Sequence, residues 1–136
     1  MIDPQKIIAA RGAGEVKYLI ISDYSNDINR VLFRFGLFAD SSLLFEHSRE
    51  AALSILTALL WKEMAYDNAC MSEAEAKEMA EEIISQNESE ESKYYSNGNG
   101  IKRESWNPLT DATFDAGLII TGCNHIHFCI WFQDED

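Results

Sequence analysis

The sequence predicts an α+β fold, with N-terminal helices packed on a small antiparallel sheet formed mainly by the C-terminal half. Apolar residues recur at three- and four-residue intervals between residues 26 and 84, which is the period of amphipathic helices. Residues 114–132 instead read as two short strands around a polar turn. With 136 residues, 46% of them hydrophobic, the chain is long enough to bury a core as one domain.

The first third of the chain predicts two short helices separated by a segment of ambiguous structure. Asp3 before a proline fits a helix N-cap, and this helix is expected to end at Gly12 or Gly14. Residues 16–21 (VKYLII) fit either a strand or a continuation of the helix, because periodicity does not distinguish the two. A second helix is expected from Asn26, where apolar residues begin to share one stripe. They are Ile28, Val31, Leu32, Phe35 and Phe38.

Two longer helices are expected in the middle of the chain. The first covers about residues 46–66 and is predicted to be the longest, and its wide apolar arc indicates the central core helix. The second begins at Ser72, whose hydroxyl can accept a hydrogen bond from the amide three residues on while Glu75 reaches back. This capping box gives the predicted start of the helix.

The C-terminal part predicts a long polar segment followed by paired strands. Residues 86–111 are polar over a greater length than an ordinary connection, so they form either a mobile loop or a hairpin. The hairpin would place strands near 93–96 and 101–106 around an Asn-Gly turn. Beyond this segment, residues 116–121 are expected to pair with residues 125–132 across a three-residue turn.

The charge of the chain is strongly acidic and unevenly distributed. Eleven basic residues stand against 23 acidic ones, for a net charge of −12, and residues 62–91 alone hold two basic and ten acidic residues. This balance argues against direct binding to nucleic acid or to an anionic membrane, because both would repel the chain. The acidic segment predicts either a solvated helix face or a docking surface for a basic partner.

The docking interpretation selects carboxylates, aromatic anchors and an acidic tail as candidate partner-binding residues. Tyrosine and tryptophan supply much contact area for little loss of rotamer entropy, although the same side chains could instead pack beneath the polar segment. The tail would extend the acidic surface only if it lies beside it. The candidates are Glu78, Glu81, Glu82, Glu88, Glu90, Glu91, Tyr94, Tyr95, Trp106, Asp134, Glu135 and Asp136.

Cysteine and histidine alternate near the C-terminus, which raises the question of a metal site. In a regular strand Cys123, His125, His127, Cys129 and Trp131 would share one face. The two cysteines would then be about 20 Å apart, too far to join one tetrahedral site. We therefore expect this face to pack on a helix or to form an interface, with no metal and no cofactor.

Sequence motifs of catalysis are also missing, so we expect a protein that is not an enzyme. The chain contains no Gly-x-Ser-x-Gly elbow, no complete dinucleotide loop and no Walker lysine. Cys123 and His125 fit a catalytic dyad by spacing, but same-face neighbours on a strand arise often by chance. The abundant carboxylates fall in sequence that is expected to be exposed, where pKa shifts are small.

The sequence also predicts a cytoplasmic protein. The N-terminus lacks the basic start and apolar stretch of a signal peptide, and three cysteines do not suit a closed disulfide framework. Residues 116–133 contain no charged side chain, but Gly122, Asn124, His125 and His127 would place polar groups near the centre of a bilayer. Two strands fit this segment better than a membrane span.

The C-terminal stretch resembles the end of small bacterial immunity proteins of contact-dependent growth inhibition and related polymorphic toxin systems. The resemblance lies in residues 114–120 (FDAGLII), residues 127–132 (HFCIWF) and the acidic tail 134–136, together with size, acidity and α+β plan. It implies a cytoplasmic protein that binds one cognate toxin domain, often a nuclease, and blocks it. It implies no particular site residues.

The leading hypothesis is therefore an immunity protein that binds and neutralises a basic toxin domain, a nuclease, through an acidic surface. One alternative is a DNA-mimic or anti-restriction inhibitor, which would present carboxylates spaced like the phosphates of a duplex. The other is a small metalloenzyme using His125, His127 and one cysteine.

Overall fold

A five-stranded antiparallel sheet organises the chain in the computed structural model, which describes residues 3–11, 14–98 and 106–135. The strands lie in the order β1-β5-β4-β3-β2 and are β1 (Glu15–Ser22), β2 (Phe45–His47), β3 (Lys93–Ser96), β4 (Phe114–Thr121) and β5 (Ile126–Asp134). The helices are α1 (Pro4–Arg11), α2 (Ile28–Arg34), α3 (Arg49–Trp61) and α4 (Glu73–Asn87). The predicted α+β fold is confirmed, with most of the sheet contributed by C-terminal strands.

Strand β5 lies between β1 and β4, and its residues 128–132 are buried on both faces. Phe128, Ile130 and Phe132 face a core that includes α3 and α4, whereas Cys129 and Trp131 face a smaller core beneath α2. The alternation predicted from the sequence is therefore correct within β5. The burial of both faces follows from the helices, which cover the sheet on its two sides.

Helix α3 is shorter than the predicted 46–66 and is not the longest helix. It begins at Arg49 because the Ser48 hydroxyl accepts a hydrogen bond from the amide of Ala51, at 3.1 Å. The residues just before it form β2 instead. After Trp61, the carboxylate of Glu63 accepts hydrogen bonds from three amides of the following turn, so the chain leaves the helix there.

The other predicted element boundaries agree closely with the structure. The Ser72 hydroxyl accepts from the amide of Glu75 at 3.1 Å, so α4 begins where the capping box places it. Helix α2 begins at Ile28, after its cap Asp27, and it ends at Arg34, so Phe35 and Phe38 of the predicted apolar stripe lie beyond the helix and Phe38 is 43% exposed. Residues 16–21, ambiguous in sequence, lie in a strand because β5 provides a partner along their whole length.

The polar segment 86–111 is partly ordered by the sheet and partly by one buried carboxylate. Strand β3 pairs with β2 on one edge and β4 on the other, while most of the predicted second hairpin strand, residues 101–105, lies outside the described residues. Asp115 accepts hydrogen bonds from the amides of Leu109 and Thr110, from the side chain of Asn97 and from the indole of Trp131. This carboxylate fixes the chain before β4 against the sheet.

Within the described ranges, the longest helix has 15 residues, and none combines the length and apolar character needed to cross a bilayer.

Candidate docking surface

Helix α4 carries its acidic side chains on two different flanks. Its buried side, which includes Ala76, Ala80, Ile83 and Ile84, packs on the main core. Successive residues of a helix are about 100° apart, so Glu81 and Glu82 point away from each other. Glu81 contacts α3, whereas Glu82 lies close enough to Tyr18 of β1 to act on its ionisation.

On the α3 flank, Arg49 forms ion pairs with two carboxylates. Its guanidinium donates to Glu88 Oε1 at 2.9 Å and to Glu81 Oε1 at 2.9 Å. These hydrogen bonds raise the pKa of Arg49 further and lower the pKa of the Glu81 carboxyl. Two of the predicted partner-binding carboxylates therefore hold α3 and α4 together.

Tyr94 of β3 also belongs to this cluster, because its hydroxyl is hydrogen-bonded to Glu88. Burial and the hydrogen bond that its hydroxyl donates to Glu88 raise the pKa of Tyr94 to about 12. Burial raises the pKa of the Glu88 carboxyl, but the hydrogen bonds from Arg49 and Tyr94 outweigh this effect and leave it lowered. Both residues thus act inside the molecule rather than at its surface.

The β1 flank and the outer side of α4 keep exposed carboxylates. Glu78 and Glu82 are exposed, and among the described residues neither forms an ion pair. Glu82 accepts a hydrogen bond from Gln86 at 3.1 Å. Glu90 and Glu91 are exposed in the turn after the helix, where Glu91 has a φ of +62°. Glu78, Glu82 and Glu90 form what we call the open acidic surface, whereas Glu91 borders a cavity at the N-terminus of α2.

The three predicted aromatic anchors contribute to the interior. Tyr94 is only 8% exposed and belongs to the core under α3 and α4. Tyr95 is half-buried against the α2 core, and Trp106 is half-buried against the α3 and α4 core. These side chains therefore pack inward, as in the alternative considered for them above, in which they lie beneath the polar segment.

The acidic tail does not extend the open acidic surface. Asp134 is buried and accepts a hydrogen bond from the amide of Met64 at 2.8 Å. Glu135 accepts from the amide of Thr113 at 3.2 Å. Strand β5, about 30 Å long, separates the tail from the turn at Cys123, whose thiol lies 3.6 Å from the carbonyl oxygen of Glu90. Asp136 lies outside the described residues.

The alternating cysteine and histidine residues divide between a strand and a turn. Cys123 and His125 precede β5, because His125 adopts a φ of +66° and its amide bonds to the carbonyl of Gly122. Cys129 is completely buried, which raises the pKa of its thiol. Among the described residues no group of three or more histidine, cysteine, aspartate or glutamate side chains is placed to hold a metal ion.

A cavity of about 280 Å³ lies between the N-terminus of α2 and the neighbouring ends of β3, β4 and β5. His127 and Cys123 border it together with Lys93 and Glu91. His127 accepts the amide of Gly122 through Nδ1 at 3.4 Å, and its Nε2 lies 3.4 Å from the carbonyl oxygen of Asp23. These contacts hold the ring in place by backbone groups on both sides.

Sequence reasoning missed an exposed apolar surface around β1. Leu19 and Ile20 of β1 are 39% and 60% exposed, and Phe33 of α2 is 73% exposed. Ile126, the first residue of β5, is 50% exposed. The available signal was the run of three aliphatic residues at 19–21, but its meaning depends on β1 being an edge strand, which no local pattern reveals.

Comparison with known proteins gives no relative: no family model, no curated protein and no solved structure matches this chain.

Proposed function

We propose that this chain is an immunity protein, which binds a cognate basic toxin domain, a nuclease, and neutralises it without catalysis. The observation that supports the proposal is the open acidic surface. Its carboxylates on α4, Glu78 and Glu82, form no ion pair among the described residues, although Lys77 lies beside them, whereas Glu81 and Glu88 on the same segment are paired with Arg49. The open acidic surface is therefore available to an external cation.

Electrostatics explains how such a surface would act on a nuclease. The groove of a nuclease that holds phosphates is cationic, so exposed carboxylates on a chain of net charge −12 attract it over long range. This attraction raises the association rate and disfavours acidic partners. Occupying or covering the groove would exclude the nucleic acid substrate. On this proposal the protein works in the cytoplasm, where the toxin meets its substrate.

The alternatives have less support. A DNA mimic needs a long, regular row of exposed carboxylates, but Arg49 pairs with two of the acidic residues and Asp134 is buried. A metalloenzyme needs a ligand set, and the part of the chain that the structure describes offers none of three or more side chains.

The test pairs the chain with a toxin. The toxin to be tested is the C-terminal domain of any large secreted protein that is encoded immediately upstream of this chain. Co-expression of the chain should restore growth of cells that make this domain, and the purified chain should inhibit its nuclease activity. The double variant Glu78→Lys, Glu82→Lys should slow association at least tenfold at low salt and reduce the dependence of the rate on salt.

The matched control is Glu46→Lys, Asp111→Lys, which makes the same change in net charge at exposed positions away from α4. An equal loss of rate in both double variants would show that only net charge matters. Growth that is not restored by the unmodified chain would contradict the proposed function itself.

A further inference from the structure

Strand β1 has one side of its backbone that no strand of the described residues pairs with. Within residues 3–11, 14–98 and 106–135, β1 is the end strand of the sheet and pairs only with β5. The amide of Asp23 continues this pairing by donating to the carbonyl of His125, so the odd-numbered residues of β1 direct their backbone groups toward β5. The amides and carbonyls of Tyr18 and Ile20 therefore point to the open side.

The far end of this open edge is closed by α2. Arg34 donates to the carbonyl of Ser22 at 2.6 Å and, with Arg30, binds the carboxylate of Asp23. Hydrogen bonds from Ser25, Arg34 and Arg30 hold the pKa of that carboxyl well below its usual range. Nothing among the described residues bonds to the outward amides of Tyr18 and Ile20. The edge is thus a row of unused donors and acceptors that ends at a defined point.

Each face of this edge carries one exposed aliphatic side chain. Ile20 lies on the α4 face, opposite Phe128, and Leu19 lies on the α2 face, opposite Cys129. Seven large hydrophobic side chains are exposed among the described residues, and all but Tyr66 belong to β1, α2, the residues just after these elements or the start of β5. An added strand would bury apolar side chains on both of its faces.

The opposite edge of the sheet is much less suited to this role. Strand β2 has only three residues, and its His47 is hydrogen-bonded to the carbonyl of Gly98 at 2.9 Å. Its middle residue, Glu46, is exposed and charged. A short edge with a central charge is a common protection against strand addition. β1 also carries a charge, Lys17 on the α2 face, but it offers eight residues.

The position of α4 indicates the charge of the added strand. The Tyr18 hydroxyl accepts a hydrogen bond from Asn87 of α4 at 3.3 Å, so this helix lies over β1. Burial raises the pKa of the Tyr18 phenol, the hydrogen bond from Asn87 partly offsets this, and the charge of Glu82 adds to the rise. A strand beside β1 would therefore lie below the carboxylate of Glu82, with Glu78 about one turn further along the same helix.

Charge also disfavours a second copy of this chain at the edge. Antiparallel pairing of two β1 strands would continue the sheet about a two-fold axis, with both α4 helices on the same side. The carboxylates of Glu82 from the two copies would then face each other, which is repulsive. A cationic strand in the same place would instead be attracted by the Glu82 carboxylate.

We propose that an extended segment of the cationic partner adds to β1 as a sixth strand, with basic side chains toward Glu78 and Glu82 and apolar side chains toward Leu19. The main-chain hydrogen bonds would supply affinity, and the alternating side chains would supply specificity. This inference rests on the proposed function, because that function supplies the cationic partner.

The test uses a synthetic peptide of alternating lysine and valine, equal in length to β1, and amide hydrogen exchange of the full chain measured by NMR. Bound peptide should slow exchange at Tyr18 and Ile20 by about tenfold or more and leave the edge residue Glu46 unchanged. The control peptide carries N-methyl groups at the residues directed toward β1, and it should give no protection.

The variant Ile20→Pro removes an outward donor from an edge position and should abolish peptide protection at Tyr18. If this variant does not fold, exchange in the unmodified chain still decides the question. Peptide binding that affects only α4, or no peptide binding, would overturn strand addition while leaving the toxin test of the proposed function untouched. Protection that rises with the concentration of the free chain would overturn it in favour of a second copy.

Discussion

At the scale of single residues, two buried or half-buried networks determine which charges reach the surface. Arg49 forms ion pairs with Glu81 and Glu88, and the Asp115 carboxylate accepts hydrogen bonds from two amides that precede β4. The partners of Arg49 lie more than 30 residues away, on and just after α4, whereas Asp115 binds amides only five and six residues before it. Identical glutamates on one helix consequently have different roles, which only the positions of their partners reveal.

Removal of the Arg49 guanidinium should change how stability responds to acid. The lowered pKa values of Glu81 and Glu88 mean that their pairing stabilises the fold above the ordinary glutamate pKa of about 4.3 and is lost as pH falls through the lowered values. Arg49→Met should therefore lose less of its unfolding free energy than the unmodified chain between pH 5 and 3. Urea denaturation at several pH values measures this difference.

The control for this experiment is Lys6→Met, which removes a cation from an exposed position on α1. It should keep the acid dependence of the unmodified chain. Parallel stability curves for Arg49→Met and the unmodified chain would contradict the role of the pairing.

At the scale of elements, β4 is placed against β5 by a glycine. A Cβ at Gly117 would lie 2.2 Å from the carbonyl oxygen of Ile130 and 2.8 Å from the Cα of Trp131. Both contacts are with backbone in the buried centre of the sheet, so neither can move aside cheaply. The close approach of the two strands therefore depends on the missing side chain.

The variant Gly117→Ala should lower the free energy of unfolding by about 3 kcal/mol, at the upper end for overpacked cores, because the two strands must separate. Thermal and urea denaturation measure the loss. Thr121→Ala, at the half-buried end of the same strand, should cost about 1 kcal/mol or less. A Gly117→Ala variant as stable as the Thr121 variant would show that the strands can adjust.

Local signals explain which elements could be predicted from the sequence. The Ser72 cap and the alternation in β5 depend on neighbouring residues, and both predictions are confirmed. The choice of strand for residues 16–21 depends on a partner more than 100 residues away. The expected start of α3 was wrong because residues 45–47 form strand β2. The helix begins directly after it, behind the Ser48 cap.

The candidate site was predictable only in part, for the same reason. Composition located the acidic segment, but it could not show that Arg49 pairs with Glu81 and Glu88 while Glu78 and Glu82 remain open. The sequence likewise predicts that Tyr94 contacts a partner. In the structure Tyr94 is buried, and its hydroxyl donates a hydrogen bond to Glu88. Pairing and burial are properties of the assembled fold.

At the scale of the whole molecule, negative charge is separated into a structural part and an open part. Reversal of the structural pair by Glu81→Lys, Glu88→Lys should lower the melting temperature by at least about 5 °C, because two lysines would then face Arg49. Reversal of the open pair by Glu78→Lys, Glu82→Lys should leave it nearly unchanged, since both side chains are exposed.

Differential scanning calorimetry of the two double variants compares the same change in net charge at neighbouring positions. Equal melting temperatures would show that the Arg49 contacts contribute little. A large loss in the Glu78 and Glu82 variant would show that these carboxylates also support the fold and would weaken their assignment to a partner.

The pairing of β1 with β5 also has a consequence for biosynthesis. β1 leaves the ribosome more than 100 residues before the strand that completes it, and until then both of its sides are unsatisfied. Contacts between such distant segments form slowly because a long loop must close first. During this interval the newly made chain exposes an aliphatic strand to the crowded cell, so correct folding in vivo should depend on chaperone capacity more than the modest size of the protein suggests.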